Sequence, residues 1–198
     1  SDTITVDVAG VADTPTLDAS DASGDEDTSF ALDVDASLSD ASEVLSVTIS
    51  GVPDGATLSA GTHNGNGTWT LSATDLEGLS IRPPDDYSGS FDLGVTVTST
   101  DGADTASVND TITIDVAGVA DTPTLEVSDV SGDEGNSVAL DIDAAVTDSS
   151  ETLTVTISGV PTGATLSAGT NNGNGTWTLG AAQLVGLTIM AGSDYAGT

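Results

Sequence analysis

Apolar and polar residues alternate with period two in short, regularly spaced runs rich in Val, Ile, Thr and Leu, the pattern of strands that bury one face. Phe30, Leu32, Val34, Ala36 and Leu38 fall on one side of such a run, with Ala31, Asp33, Asp35 and Ser37 on the other. Leu45, Val47 and Ile49 alternate with Ser46, Thr48 and Ser50, and Phe91, Leu93, Val95 and Val97 alternate with Asp92, Gly94, Thr96 and Thr98. Clean alternation predicts sheets with one wet face. Residues 56–60 and 68–71 flank Asn64-Gly65-Asn66-Gly67, whose residues tolerate the positive φ of tight turns, so these two runs are expected to form a hairpin. Helix signals shrink to a single turn around 74–78. About seven strands in roughly 100 residues predict an all-β fold, a Greek-key β-sandwich, with a barrel as the alternative.

The pattern also repeats on a larger scale. TITVDVAGVADTPTL at 3–17 returns as TITIDVAGVADTPTL at 111–125, so the period is 111 minus 3, or 108 residues, and from residue 3 onward 61 of 88 paired positions are identical. A unit of that length is an independent domain rather than a solenoid turn. The expected organisation has residues 1–11 as the last strand of a preceding repeat, 12–119 as a complete sandwich, and 120–198 as a second sandwich without the counterparts of residues 91–119. That second repeat is expected not to close its core alone; a strand donated by another chain or a simple cut in a longer protein would each account for it.

Charge then changes the picture. The chain carries 32 acidic residues against one Arg and no Lys, for a formal net charge of -31, yet 37% of residues are hydrophobic. Regular apolar runs separate it from disordered acidic chains. Such repulsion argues against nucleic acid or an anionic membrane as partner, because those surfaces need Lys and Arg to displace counterions. Without Cys there is no disulfide and no thiolate chemistry. Without Lys, isopeptide cross-linking is excluded as well. No apolar run reaches the roughly 18 to 20 residues of a membrane span.

Asp supplies 26 of the 32 acids and Glu 6, a bias toward the short carboxylate of tight oxygen cages. Six to eight oxygens with irregular geometry suit Ca2+. In a sandwich the second-to-third and sixth-to-seventh strand loops share the leading end of a domain, and the first-to-second and fifth-to-sixth loops share its trailing end. Candidate ligands at the junction of the two repeats are Asp25, Glu26 and Asp86 on the trailing side, Asp121 in the linker, and Asp148, Ser150 and Glu151 on the leading side. The upstream junction offers Asp13, Asp40, Ser42 and Glu43, and the downstream one Asp133, Glu134 and Asp194. Turn formation alone would also favour Asp and Ser at 39–43. Asp33, Asp35, Asp141 and Asp143 resemble ligand pairs, but alternation puts them on a solvated strand face. Asp85 becomes Ser193 in the second copy and is not required by both.

Trp69 and Trp177, beside Leu71 and Leu179, are read as core rather than as ligand platforms, and Tyr87 suits a tyrosine corner between the fifth and sixth strands. His63 is the only His and its counterpart is Asn171, so no Ser-His-Asp arrangement serves both copies. Paired carboxylates suggest a glycosidase only weakly, since no aromatic-lined cleft accompanies them. The chain is not expected to be an enzyme.

VADTPTL at 11–17, GDEDT at 24–28, LSVTISGVPDGATLSAG at 45–61 and NGNGTWTL at 64–71 together resemble the cadherin-like or immunoglobulin-like tandem repeats of giant bacterial surface adhesins exported with RTX-type proteins. The resemblance covers the whole chain. It implies an extracellular, non-catalytic stalk, stiffened by Ca2+ where neighbouring repeats of the same polypeptide meet, that projects a distal adhesion domain without touching the membrane itself. The loop before the Ser-Glu pair is short, only Asp40-Ala41 and Asp148-Ser149, and the glycine-rich calcium nonapeptide of RTX rolls is absent. A Ca2+-containing carbohydrate-binding sandwich and an acidic filament or layer domain without specific ion sites are the alternatives.

Overall fold

The computed structural model describes residues 2–133 and 135–192. Two compact units divide the chain, Ser1–Val119 and Ala120–Thr198. Both are β-sandwiches, and the only helical turns among the described residues are the 3-10 turns Ala73–Asp75 and Ala181–Gln183.

In the first unit the strands are β1 (Thr16–Ala19), β2 (Ala22–Asp25), β3 (Phe30–Ala31), β4 (Val34–Ser37), β5 (Val44–Ser50), β6 (Thr57–Leu58), β7 (Thr62–Gly65), β8 (Thr68–Leu71), β9 (Ser80–Arg82), β10 (Gly89–Asp101) and β11 (Asp104–Ala117). One layer has the order β2-β11-β10-β5-β8-β7. The other consists of β1-β4 and β3-β9-β6. The run expected to be one strand from Phe30 to Leu38 is interrupted at Leu32 and Asp33, because it changes partner there: β3 pairs with β9 and β4 with β1. Alternation survives the break, with Leu32 and Val34 buried and Asp33 and Asp35 exposed. Between the layers, Val47, Ile49, Ile81, Leu93, Val95, Val97, Ile112 and Ile114 lose all contact with solvent. The apolar face read from the sequence is therefore the core face, and its burial is the main stabilising term.

The hairpin differs from the expectation. Its strands are β7 and β8 across Asn66 and Gly67, at φ 52 and 67, while Thr57–Leu58 joins β9 in the opposite layer. Thr62-His63-Asn64-Gly65 lacks apolar alternation, which hid β7 at an edge of its sheet. β2 pairs in parallel with β11, Ala22 facing Ile114 and Asp25 facing Ala117. Tyr87 donates its hydroxyl to the Ser90 carbonyl at 3.1 Å and sets its ring edge-on to Phe91. With Gly89 at φ 135 between them, the bond closes the local turn into β10 instead of reaching back upstream as a tyrosine corner does. Residues 2–15 form no strand, and Ile4 and Val8 are each 87% exposed, although the matching Ile112 and Val116 of β11 are buried.

The second unit follows the same plan with β12 (Thr124–Ser128), β13 (Ser137–Ala139), β14 (Asp141–Ala145), β15 (Thr154–Ile157), β16 (Thr165–Leu166), β17 (Thr170–Gly173), β18 (Thr176–Gly180) and β19 (Thr188–Met190). Its sheets are β12-β14, β13-β19-β16 and β15-β18-β17. Trp177, Leu179, Leu184 and Leu187 anchor a smaller core. Val155 and Ile157 on β15 are only half-buried, whereas Val47 and Ile49 on β5, which is flanked by β10 as well as β8, are fully buried.

Candidate metal centre

At the trailing end of the first unit, the chain leaves β2 and alternation turns Asp25 outward and Glu26 inward. Glu26 is 3% exposed, and its N–H donates to the Ala117 carbonyl at 2.9 Å, extending the parallel ladder by one residue. Its Oε1 accepts the Val119 N–H at 2.6 Å. Its Oε2 is buried and has no hydrogen-bond partner among the described residues. A carboxylate oxygen withdrawn from water without a donor is costly, and a cation satisfies it where no donor does. Asp25 instead lines an open groove of about 450 Å³ with Asp115, Gly89 and Ser90.

Asp27, which sequence reasoning passed over, belongs to this end. It sits in the left-handed region at φ 58, and its Oδ1 accepts the Asp86 N–H at 3.2 Å. Asp86 is left-handed too, at φ 55, and a carboxylate oxygen of each lies within 4.8 Å of the other. The signal available beforehand was the uninterrupted Asp-Glu-Asp run at 25–27, matched in the second copy by Asp133-Glu134-Gly135. Gly135 holds φ 73, so the position requires a left-handed turn and Asp27 accepts that strain. Arg82 reaches the same turn: Nη1 donates to the Asp27 carbonyl at 2.5 Å and Nη2 meets Asp85 Oδ1 at 2.7 Å.

At the leading end, Glu43 is 6% exposed. Its Oε1 accepts the Asp13 N–H at 2.6 Å and its Oε2 accepts the hydroxyl of fully buried Ser99 at 2.8 Å. Ala12 donates its N–H to Asp104 Oδ2 at 3.1 Å, so the linker lies against the β10–β11 turn. Asp40 accepts the Ser42 N–H at 2.9 Å, and its carbonyl accepts from Glu43 N–H at 3.3 Å. The turn-forming role of Asp40 and Ser42 is therefore filled whatever else they bind. Asp13 is exposed.

The leading end of the second unit repeats this construction. Glu151 Oε1 accepts the Asp121 N–H at 2.6 Å, and Asp121 Oδ2 accepts the Thr147 hydroxyl at 3.0 Å. Asp148 is 3% exposed and accepts both the hydroxyl and the N–H of Ser150. These two bonds, the hydroxyl's foremost, hold the Asp148 carboxyl below the usual aspartate range, and the Ser42 N–H followed by its hydroxyl does the same for Asp40. Asp133 is exposed, and its carbonyl accepts from Asn136 N–H at 3.3 Å. Glu134 and Asp194 lie outside the described residues. Asp141 and Asp143 are exposed on β14.

The candidate ligand atoms among the described residues are oxygens, and those of Glu26, Glu43 and Asp148 are buried carboxylates, a set that suits a hard divalent cation. The aromatics are placed differently. Trp177 is buried, whereas Trp69 is half-buried and His63 stacks on it at 5.1 Å. No protein-family model matches the chain, and no curated protein matches it in sequence. Among solved structures it is similar to "Chimeric titin Z1Z2 functionalized with a KLER exogenous peptide from decorin", at 11% identity and TM-score 0.31, over 89% of this chain and 81% of that one. It is also similar to "Crystal structure of the titin domains z1z2 in complex with telethonin", at 12% identity and TM-score 0.35, over 87% and 83%.

Proposed function

We propose that the chain is a piece of a non-catalytic extender in a large extracellular adhesin of a bacterial surface, with Ca2+ locking consecutive repeats so that a distal binding domain stands away from the cell. The observation that carries this reading is the buried Oε2 of Glu26, without a partner among the described residues, at a domain end where Asp27 and Asp86 also gather, in a chain with a single Arg. Glu43 and Glu151 support it from the leading ends, since each clamps the backbone N–H of a linker aspartate, Asp13 or Asp121. A carboxylate that already fixes a linker needs only a cation to join it to further oxygens. The partners in this reading are Ca2+ and the neighbouring repeats of the same polypeptide, including one preceding residues 2–11, whose exposed Ile4, Val6 and Val8 would then be covered. Affinity is expected at about 10⁻⁴ to 10⁻³ M, the range of extracellular modules.

The test is small-angle X-ray scattering on two complete repeats, titrated with Ca2+ against NaCl of equal ionic strength. A rod-like profile gained at millimolar Ca2+, and lost on chelation and in an Asp121→Ala, Glu151→Ala double variant, is the expected result. Equal effects of the two salts would refute it and leave solubility as the purpose of the acidity.

A further inference from the structure

We propose that Arg82 is a built-in cation at the trailing end of the first repeat, holding its two loops together in the absence of a bound ion. The inference rests on the calcium reading for its biological meaning, but its geometry stands alone. Arg82 is the only Lys or Arg in 198 residues. It leaves β9 and spans two acceptors, the Asp27 carbonyl at 2.5 Å and Asp85 Oδ1 at 2.7 Å, from segments 55 and 3 residues away in sequence. The turn at 25–27 and the loop at 85–86 bring five carboxylates, Asp25, Glu26, Asp27, Asp85 and Asp86, to one end of the sandwich. Their mutual repulsion opposes closure, and a planar fork with directed donors counters it better than a mobile counterion does.

The second copy shows the alternative. There Arg82 is replaced by Met190 and Asp85 by Ser193, so the guanidinium and its carboxylate partner are replaced together, while Gly135 in place of Asp27 keeps a backbone carbonyl. Met190 occupies the same strand position in β19, pairing with Ser137 and Thr165, so the exchange is compatible with the fold. The consequence is a difference in calcium dependence between repeats. The first repeat keeps its trailing loops ordered at low calcium through a clamp for which the sequence of the second copy offers no Lys or Arg.

Amide hydrogen exchange on the whole chain tests this with Arg82→Met and Arg82→Lys, in EDTA and in millimolar Ca2+. In EDTA, Arg82→Met is expected to speed exchange about fivefold at 26–28 and 84–87 and to leave β10 unchanged, a size appropriate to a partly exposed, charge-assisted clamp. Arg82→Lys, a point charge without the fork, should fall between. Ca2+ should shrink the difference. No change in EDTA would overturn the proposal. A change that Ca2+ leaves undiminished would overturn the stand-in role, and the response of the 40–43 turn to Ca2+ in the parent chain would then tell whether the calcium reading had failed with it.

Discussion

Removing the Glu43 carboxylate should unlock the linker from the first repeat and destabilise that repeat. The side chain is 6% exposed and accepts two hydrogen bonds, from the Asp13 N–H at 2.6 Å and from the Ser99 hydroxyl at 2.8 Å. Hydrogen bonds to a charged group contribute about 1.5–3 kcal/mol each, and truncation leaves the donors of a buried pair unsatisfied. Against this, Glu43→Ala removes a charge that was costly to bury, which returns part of the loss. The expected net is about 3 kcal/mol. Glu43→Gln is nearly isosteric: its carbonyl keeps the Asp13 N–H, and its amide donates to the Ser99 oxygen. Its cost should be about 1 kcal/mol. Urea unfolding followed by Trp69 fluorescence in a Trp177→Phe background reads the first repeat alone. At a typical urea dependence, the Ala variant's midpoint falls by about 2 M. An Ala variant that unfolds at the parent's midpoint would refute the clamp. A Gln variant as weak as Ala would show that charge, not the hydrogen bonds, is what matters.

Other substitutions separate backbone conformation from space. Gly67→Ala places a Cβ 2.5 Å from the Val52 carbonyl oxygen at φ 67, whereas Gly65→Ala at φ 90 meets open space. Urea midpoints should rank Gly67→Ala well below Gly65→Ala, which bears only the left-handed penalty of about 1–2 kcal/mol. Asp148 has a folded pKa below its unfolded value, so the stability it contributes is complete above the ordinary aspartate pKa and lost as pH falls through the depressed one. Ser150→Ala should raise the Asp148 midpoint back toward the ordinary aspartate range, read by carboxyl NMR titration. Trp177 is buried and Trp69 half-buried, so the Trp177→Phe chain should emit at longer wavelength than the Trp69→Phe chain. His63→Ala should shift the emission of Trp69 further to the red by uncovering its ring.

Alternation made the core legible because a period of two is unambiguous where one face is dry. Leu45, Val47 and Ile49 and the run from Phe91 to Val97 point as read, and Asp33 and Asp35 face solvent as read. β7 was not legible, since its four polar residues at a sheet edge leave no apolar signature. The change of partner at Leu32 and Asp33 was hidden because the pattern runs through it undisturbed. At the ends, sequence could say which loops share a pole but not which carboxylates turn inward. Asp25 and Glu26 are adjacent in sequence and opposite in burial. Asp27 escaped notice because its left-handed turn shows in the sequence only through Gly135 in the other copy.

The parallel pairing of β2 with β11 sets how the first repeat meets tension. One strand comes soon after the chain enters the sandwich and the other comes last before it leaves, and they run side by side in the same direction. A pull that reaches both draws them past each other along their shared axis. The rungs from Ala22 to Asp25, the Glu26 N–H on the Ala117 carbonyl and the Val119 N–H on the Glu26 carboxylate are then strained in shear and must yield together. An antiparallel hairpin such as β10–β11, pulled apart from its open ends, would give way one rung at a time. The edge that looks weakest on the sheet, four residues of Ala, Ser, Gly and Asp, is the one whose geometry makes an end-to-end stretch abrupt instead of gradual.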